Sequence, residues 1–138
     1  MNVVDSSGWI EFLRGGPNAN FFEPAILKTH ELIVPTVTLY EVFKKISPVQ
    51  GDGLALRAVV QMKQGRVVDL DESLALRAAR LSLTHKLPMA DALIYATAQA
   101  HDAVLWTQDE HFQHLAKVRY VVKPTQSRSG QALTPPHG

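Results

Sequence analysis

Short apolar runs alternate along this chain with longer stretches in which apolar positions recur every three or four residues. The first pattern predicts strands and the second predicts helices. "NVV", from Asn2 to Val4, reads as a first strand, and "SSGWIEFLRG" as a helix capped by Ser6 or Ser7 and stopped by Gly15 and Gly16. "NANFFEPAILKTH" is a second helical segment, with Pro24 expected at a break or in a first turn. "LIVP" is a strand, and "TVTLYEVFKKIS" is a helix with Leu39, Val42, Phe43 and Ile46 on one face. "GLALRAVVQMKQG" is a further helix, "RVVDL" a strand and "DESLALRAARLSLTHK" a helix with acids in its first turn. "LPMADALIYATAQA" then forms an apolar helix whose one charge is Asp91, followed by "AVLWT" as a strand, "DEHFQHLA" as a short helix and "RYVV" as a last strand.

This alternation predicts an α/β fold: three α/β/α layers, with a mostly parallel central sheet covered by helices on both faces. The core domain is expected over residues 1–123. Residues 124–138, "PTQSRSGQALTPPHG", are rich in Pro, Ser, Gly and Gln and read as a mobile C-terminal tail.

Ligands of a parallel sheet bind beyond the carboxyl ends of its strands. Asp5 directly follows the first strand, Asp109 comes two residues after Thr107 at the end of "AVLWT", and Asp91 opens the helix that leads into that strand. Glu41 lies in the helix after "LIVP". Each acid has a plain structural explanation. Asp5 and Asp109 stand at helix caps, Asp91 in a helix first turn, and Glu41 within reach of Lys44 or Lys45. Gathered at one edge, they call for more. Two carboxylates about 4 Å apart repel by roughly 4 kcal/mol at an effective dielectric of about 20. A hard divalent cation relieves that repulsion, and oxygen-only ligation points to Mg²⁺ or Mn²⁺ rather than zinc. Such ions act on phosphate esters.

Composition narrows the picture. The 138 residues fit one domain, and a formal net charge of +1 offers no global basic field to nucleic acid. With no cysteine there is no thiolate metal site, and a cytoplasmic location is expected. The N-terminus reads as no signal peptide, and no apolar run is long enough to span a membrane. His111 and His114, three residues apart, read as a wet surface rather than a shared metal site. Trp9, Phe12, Phe43 and Trp106 fit core positions. No nucleotide-cradling glycine motif occurs.

At the four acids the chain resembles PIN-domain proteins, and more narrowly the VapC toxins of prokaryotic toxin–antitoxin pairs. "VVDSSGWIEFL", "PTVTLYEVFKK" and "HKLPMADALIYATAQAHDAVLWTQDEHF" carry the resemblance, in that order, over residues 1–123. The resemblance implies a single-strand endoribonuclease with Mg²⁺ or Mn²⁺ at Asp5, Glu41, Asp91 and Asp109. Asp5, Asp91 and Asp109 would hold the ion, and Glu41 would orient or deprotonate the attacking water. Ser6 and Thr107 fall where the family places supporting hydroxyls. The resemblance also implies a homodimer and a small VapB-like antitoxin whose C-terminal segment sets a basic side chain among the acids. Arg14, Lys44 and Lys45 are candidates for RNA phosphates by position alone. Two other readings stay open: a receiver-like Mg²⁺-binding signalling domain, for which Lys123 resembles the strand-end lysine, and a catalytically silent PIN binding module. A haloacid-dehalogenase-type phosphatase fits less well, because its second acid would fall at Ser7.

Overall fold

A computed structural model describes residues 1–125 of the chain. Five strands form one sheet in the order β3-β2-β1-β4-β5: β1 Asn2–Val4, β2 Leu32–Pro35, β3 Arg66–Val68, β4 Val104–Thr107 and β5 Val118–Tyr120. Every neighbouring pair is parallel. The mostly parallel three-layer reading is therefore met by a sheet that is parallel throughout.

The three central strands are apolar because both faces are covered. Val3, Ile33 and Leu105 point into one core, with Leu74, Ala78, Ala92, Ile94 and Ala96 from the helices on that side. Val4, Leu32 and Val34 point into the other, with Trp9, Phe22, Val42, Ala55 and Met62. Adjacent residues of one strand thus feed opposite cores, as the two-residue period of a strand requires. Trp9 is fully buried, and Phe12, Phe43 and Trp106 pack against its cluster, in line with their reading as core residues.

Five helices supply the layers: α1 Ser6–Leu13, α2 Ala19–Leu27, α3 Thr36–Met62, α4 Glu72–His85 and α5 Met89–Ala100. Three details differ from the sequence reading. Of the caps it offered for α1, Asp5 fills the role, its carboxylate accepting from the Gly8 N–H at 2.9 Å, and not Ser6 or Ser7. Pro24 lies inside α2, where its missing N–H leaves the carbonyl of Asn20 without a donor; Asn20 is exposed, so water can replace it. The two helices expected on either side of "SPVQGDG" are both present within α3, separated at Gly51, whose φ 86° and ψ 165° are not helical. "DEHFQHLA" contracts to a single 3-10 turn, Glu110–Phe112. Of the expected tail, only Pro124 and Thr125 fall within the described residues.

The first five strands of a doubly wound sheet take this same order, with the reversal between β1 and β4. A receiver domain has the flavodoxin-like order 2-1-3-4-5 instead. The receiver reading is therefore set aside by topology.

Close packing at the start of α1 holds β1 against the helices. A Cβ added to Gly8 would lie 2.6 Å from the Phe22 ring and 2.7 Å from Val4 Cγ1, both buried. Gly8→Ala should therefore cost about 1–3 kcal/mol of stability in urea unfolding. Gly53→Ala, where the added methyl meets nothing within 4 Å, should cost none. Equal stabilities for the two variants would contradict this packing.

Candidate metal centre

β1 and β4 end side by side, joined past their last residues by the Asp5 N–H donating to the Trp106 carbonyl at 3.2 Å. The crevice beyond these ends is where the strand order reverses, and there the candidate acids collect.

Asp5 is the innermost, 2% exposed. Thr107 Oγ1 donates to its Oδ2 at 2.6 Å, and the Gly8 N–H and the Ser7 hydroxyl donate to its Oδ1 at 2.9 and 2.8 Å. A carboxylate has about four lone-pair sites, so these three donors leave roughly one. Burial pushes the carboxyl up to about 7, against the pull of those hydrogen bonds, and the nearby charge of Asp109 adds to the rise.

Thr107 does a second job. Its hydroxyl oxygen accepts the Asp109 N–H at 2.8 Å, which fixes the turn after β4. Asp109 in turn caps the 3-10 turn, its Oδ1 accepting the His111 N–H at 2.9 Å. Across the crevice α5 begins after Pro88, which places Asp91 in the first turn. Its Oδ2 lies 3.1 Å from His111 Nδ1, and the same nitrogen is 2.9 Å from Asp109 Oδ1. Burial first, then the like charge of Asp109, push Asp91 up to about 6, with His111 opposing and Glu41 adding. The two acids, Asp109 foremost, raise the imidazole of His111 above its ordinary value.

Glu41 approaches from α3 and accepts a hydrogen bond from the Ser6 hydroxyl. Its charge is felt at Asp91. All four predicted acids therefore belong to one electrostatic group, and the Ser6 and Thr107 hydroxyls support it. Only Asp91 and Asp109 share a tight set of donor atoms, and their third member is His111: one ligand atom of each lies within 4.8 Å of the others. Asp5 and Glu41 flank that set.

The donor set fits a divalent ion. Two partly buried carboxylates face each other with an imidazole between them, and the raised proton affinity of Asp91 marks an unmet need for positive charge. The plain structural roles turn out to coexist with this one. Asp5 and Asp109 are caps and cluster members at once. His114 stays exposed and apart.

The basic candidates divide. Arg14 and Lys45 line a pocket of about 280 Å³ together with Ser6, Ser7 and Glu41. Lys44 does not reach it; its ammonium donates to the Tyr40 hydroxyl at 3.3 Å and sits 5.4 Å over that ring. The sequence reading gave three residues no part in this site, although it named Lys123 and His111 in other roles. Lys123, just beyond β5 at the same sheet edge, lines the pocket. Glu11, 2% exposed, lines it too and accepts the Asn18 N–H at 2.7 Å, its carboxyl filling the space a side chain at Gly16 would need. His111 is the third. The signal for it lay in "T-x-D-x-H": an Asp that caps the N–H two residues on draws that residue's side chain to its own carboxylate.

A PIN domain family model matches residues 3–118. The chain belongs to the PIN domain family. Solved structures share the fold. A toxin–antitoxin complex from Klebsiella pneumoniae is similar at a TM-score of 0.73 and 21% identity, over 86% of this chain and 96% of that one. VapC20 from Mycobacterium tuberculosis, a Sarcin-Ricin loop cleaving toxin, is similar at 0.71 and 16%, over 86% and 97%. VapBC2 from Rickettsia felis, bound to a DNA fragment from its promoter, is similar at 0.68 and 14%, over 88% and 97%. No curated protein matches the chain by sequence.

The raised carboxyls of this PIN domain make its stability depend on pH. Asp5 and Asp91 bind protons more tightly folded than unfolded, so the metal-free native state holds the extra protons between the ordinary 3.8 and about 7. Stability is highest below that window and falls as pH rises through it; His111, also raised, acts in the same direction. In EDTA the melting temperature should drop by a few degrees from about pH 5 to about pH 8, and Mn²⁺ should restore more at the higher pH. A melting temperature that rises across this range in EDTA would contradict the charge balance described for the site.

Proposed function

We propose that the protein is a metal-dependent endoribonuclease and the toxin of a toxin–antitoxin pair. The observation that carries the reading is the juxtaposition of Asp91, Asp109 and His111 beside Asp5 and Glu41, at the sheet edge of a PIN domain. The structural neighbours that are toxin–antitoxin proteins, one of them an RNA-cleaving toxin, support it.

Asp91 and Asp109, with Asp5 behind them, would hold Mg²⁺ or Mn²⁺. A bound ion would supply charge to the phosphate and lower the pKa of a coordinated water. The chain's own residues do the rest. Glu41, held by Ser6, would orient a water and take its proton. The water oxygen bonds to phosphorus in line as the bond to the 3′ oxygen breaks, leaving a 5′-phosphate and a 3′-hydroxyl. Arg14, Lys45 and Lys123, which line the pocket shared with Glu41, would offer positive charge to the flanking phosphates. The same crevice would seat a basic side chain of a small VapB-like antitoxin, because an acid cluster is a strong site for a guanidinium. A homodimer and a cytoplasmic location accompany this role. No helix among the described residues is long and apolar enough to cross a membrane.

Asp5→Asn and Asp91→Asn should each lower metal-dependent cleavage of single-stranded RNA by about 10²-fold or more, with the fold retained by circular dichroism. Undiminished cleavage by both would overturn the assignment and favour a silent binding module. Induced in a bacterium, the wild-type chain should arrest growth, relieved by the adjacent small reading frame; Asp91→Asn should not arrest it. Lys123→Ala should weaken RNA binding and reduce the salt dependence of its logarithm by about 0.7, the release of one counterion from a single strand. An unchanged slope would remove Lys123 from the RNA path.

A further inference from the structure

We propose that His111 is a nitrogen ligand to the ion held by Asp91 and Asp109, and that it biases the site toward Mn²⁺ over Mg²⁺. The inference rests on the metal-site reading above and deepens it, because oxygen-only ligation was the ground for treating the two ions alike.

The ring is placed by the backbone. The 3-10 turn Glu110–Phe112 is capped by Asp109 at the His111 N–H and anchored by Phe112, which is fully buried. Phe112 packs on Tyr95 with ring centroids 6.3 Å apart, and the Tyr95 hydroxyl donates to the Ala116 carbonyl at 2.7 Å, so the turn is tied to α5, the helix that carries Asp91. Imidazole and carboxylates thus share one rigid frame.

The separations suit a common ion. Two donors bonded at about 2.1 Å on adjacent corners of an octahedron lie about 3 Å apart. His111 Nδ1 is 2.9 Å from Asp109 Oδ1 and 3.1 Å from Asp91 Oδ2. A hydrogen bond accounts for either distance alone. On a protonated ring one Nδ1–H shared by the two carboxylates accounts for both; once that proton is gone, three ligand atoms face one space with nothing between them. With the proton on Nε2, which the half-exposed ring can turn to water, the Nδ1 lone pair faces the same space as the two carboxylates.

Nitrogen ligation sets the metal preference. Mg²⁺ binds oxygen and gives up its water reluctantly, whereas imidazole adds to the affinity of transition ions. A site of two carboxylates and one imidazole should therefore prefer Mn²⁺.

The test uses the full chain without a histidine tag, loaded with Mn²⁺. Electron spin echo modulation should show a directly coordinated ¹⁴N, lost in His111→Ala and retained in His114→Ala. The preference for Mn²⁺ over Mg²⁺ in competitive titration should fall at least about tenfold in His111→Ala. Circular dichroism controls for folding. Bound Mn²⁺ without ¹⁴N modulation in the wild type, or modulation that survives His111→Ala, overturns the inference and leaves the carboxylate site standing. Mn²⁺ binding that Asp91→Asn does not weaken overturns both.

Discussion

The hydrogen bond from Thr107 to Asp5 joins the ends of the two strands that flank the reversal in strand order, and the site is assembled from it outward. Thr107 donates its proton to Asp5 and accepts the N–H of Asp109, so one hydroxyl fixes two acids from separate parts of the chain. Asp109 passes the constraint to His111, and His111 passes it to Asp91 on α5. On the other side Asp5 caps α1, and Ser6 in the first turn of that helix reaches Glu41 on α3. A polar network of this kind holds its members more firmly than separate pairs would, because each bond orients the next.

That network lies on two apolar cores, one for each face of the sheet. The cores supply the rigidity and the crevice supplies the strain. Asp5 and Asp91 both resist ionising, because burial and like charges oppose it. A chain selected for stability alone would place Asn at position 5, keeping the cap of α1 without the charge, and a neutral residue at position 91, which caps nothing. Local choices that work against stability, gathered at one sheet edge, are the physical mark of a functional site.

The sequence showed most of this because the relevant signals are local. The three central strands, covered on both faces, read as short apolar runs, and the runs at the partly exposed edge strands, "RVVDL" and "RYVV", still carry paired β-branched residues, so all five were visible, with ends shifted by a residue or two. Topology then placed Asp5, Asp91 and Asp109 at one edge without knowledge of any distance. The misses depend on information that a single position does not carry. Pro24 reads as a break or a first turn, but the residue whose carbonyl it deprives, Asn20, is exposed, so water can take the place of the lost donor. Lys44 and Lys45 are neighbours in sequence; the helical turn between them sends one to Tyr40 and the other to the pocket. His111 looked like a surface residue because its partner was sought at His114, one turn along, rather than at the capping Asp two residues back.

The hydrogen-bond inventory also divides labour among the acids. Asp5 has three donors on it and about one lone-pair site left, so it can give an ion a single contact while serving as the fixed base of the cluster. Asp91 and Asp109 are more open, with side chains 16% and 26% exposed, and each is met by the same imidazole nitrogen. These three groups can exchange one another for an ion with little movement, which Asp5 cannot do without giving up the cap of α1 and the bridge to β4. Replacing Asp5 by a residue that cannot cap, such as Ala, therefore disturbs architecture and chemistry together, while substitution at Asp91 reaches the chemistry alone. For that reason Asp91, rather than the more deeply buried Asp5, is the residue on which the assignment is cleanly decided.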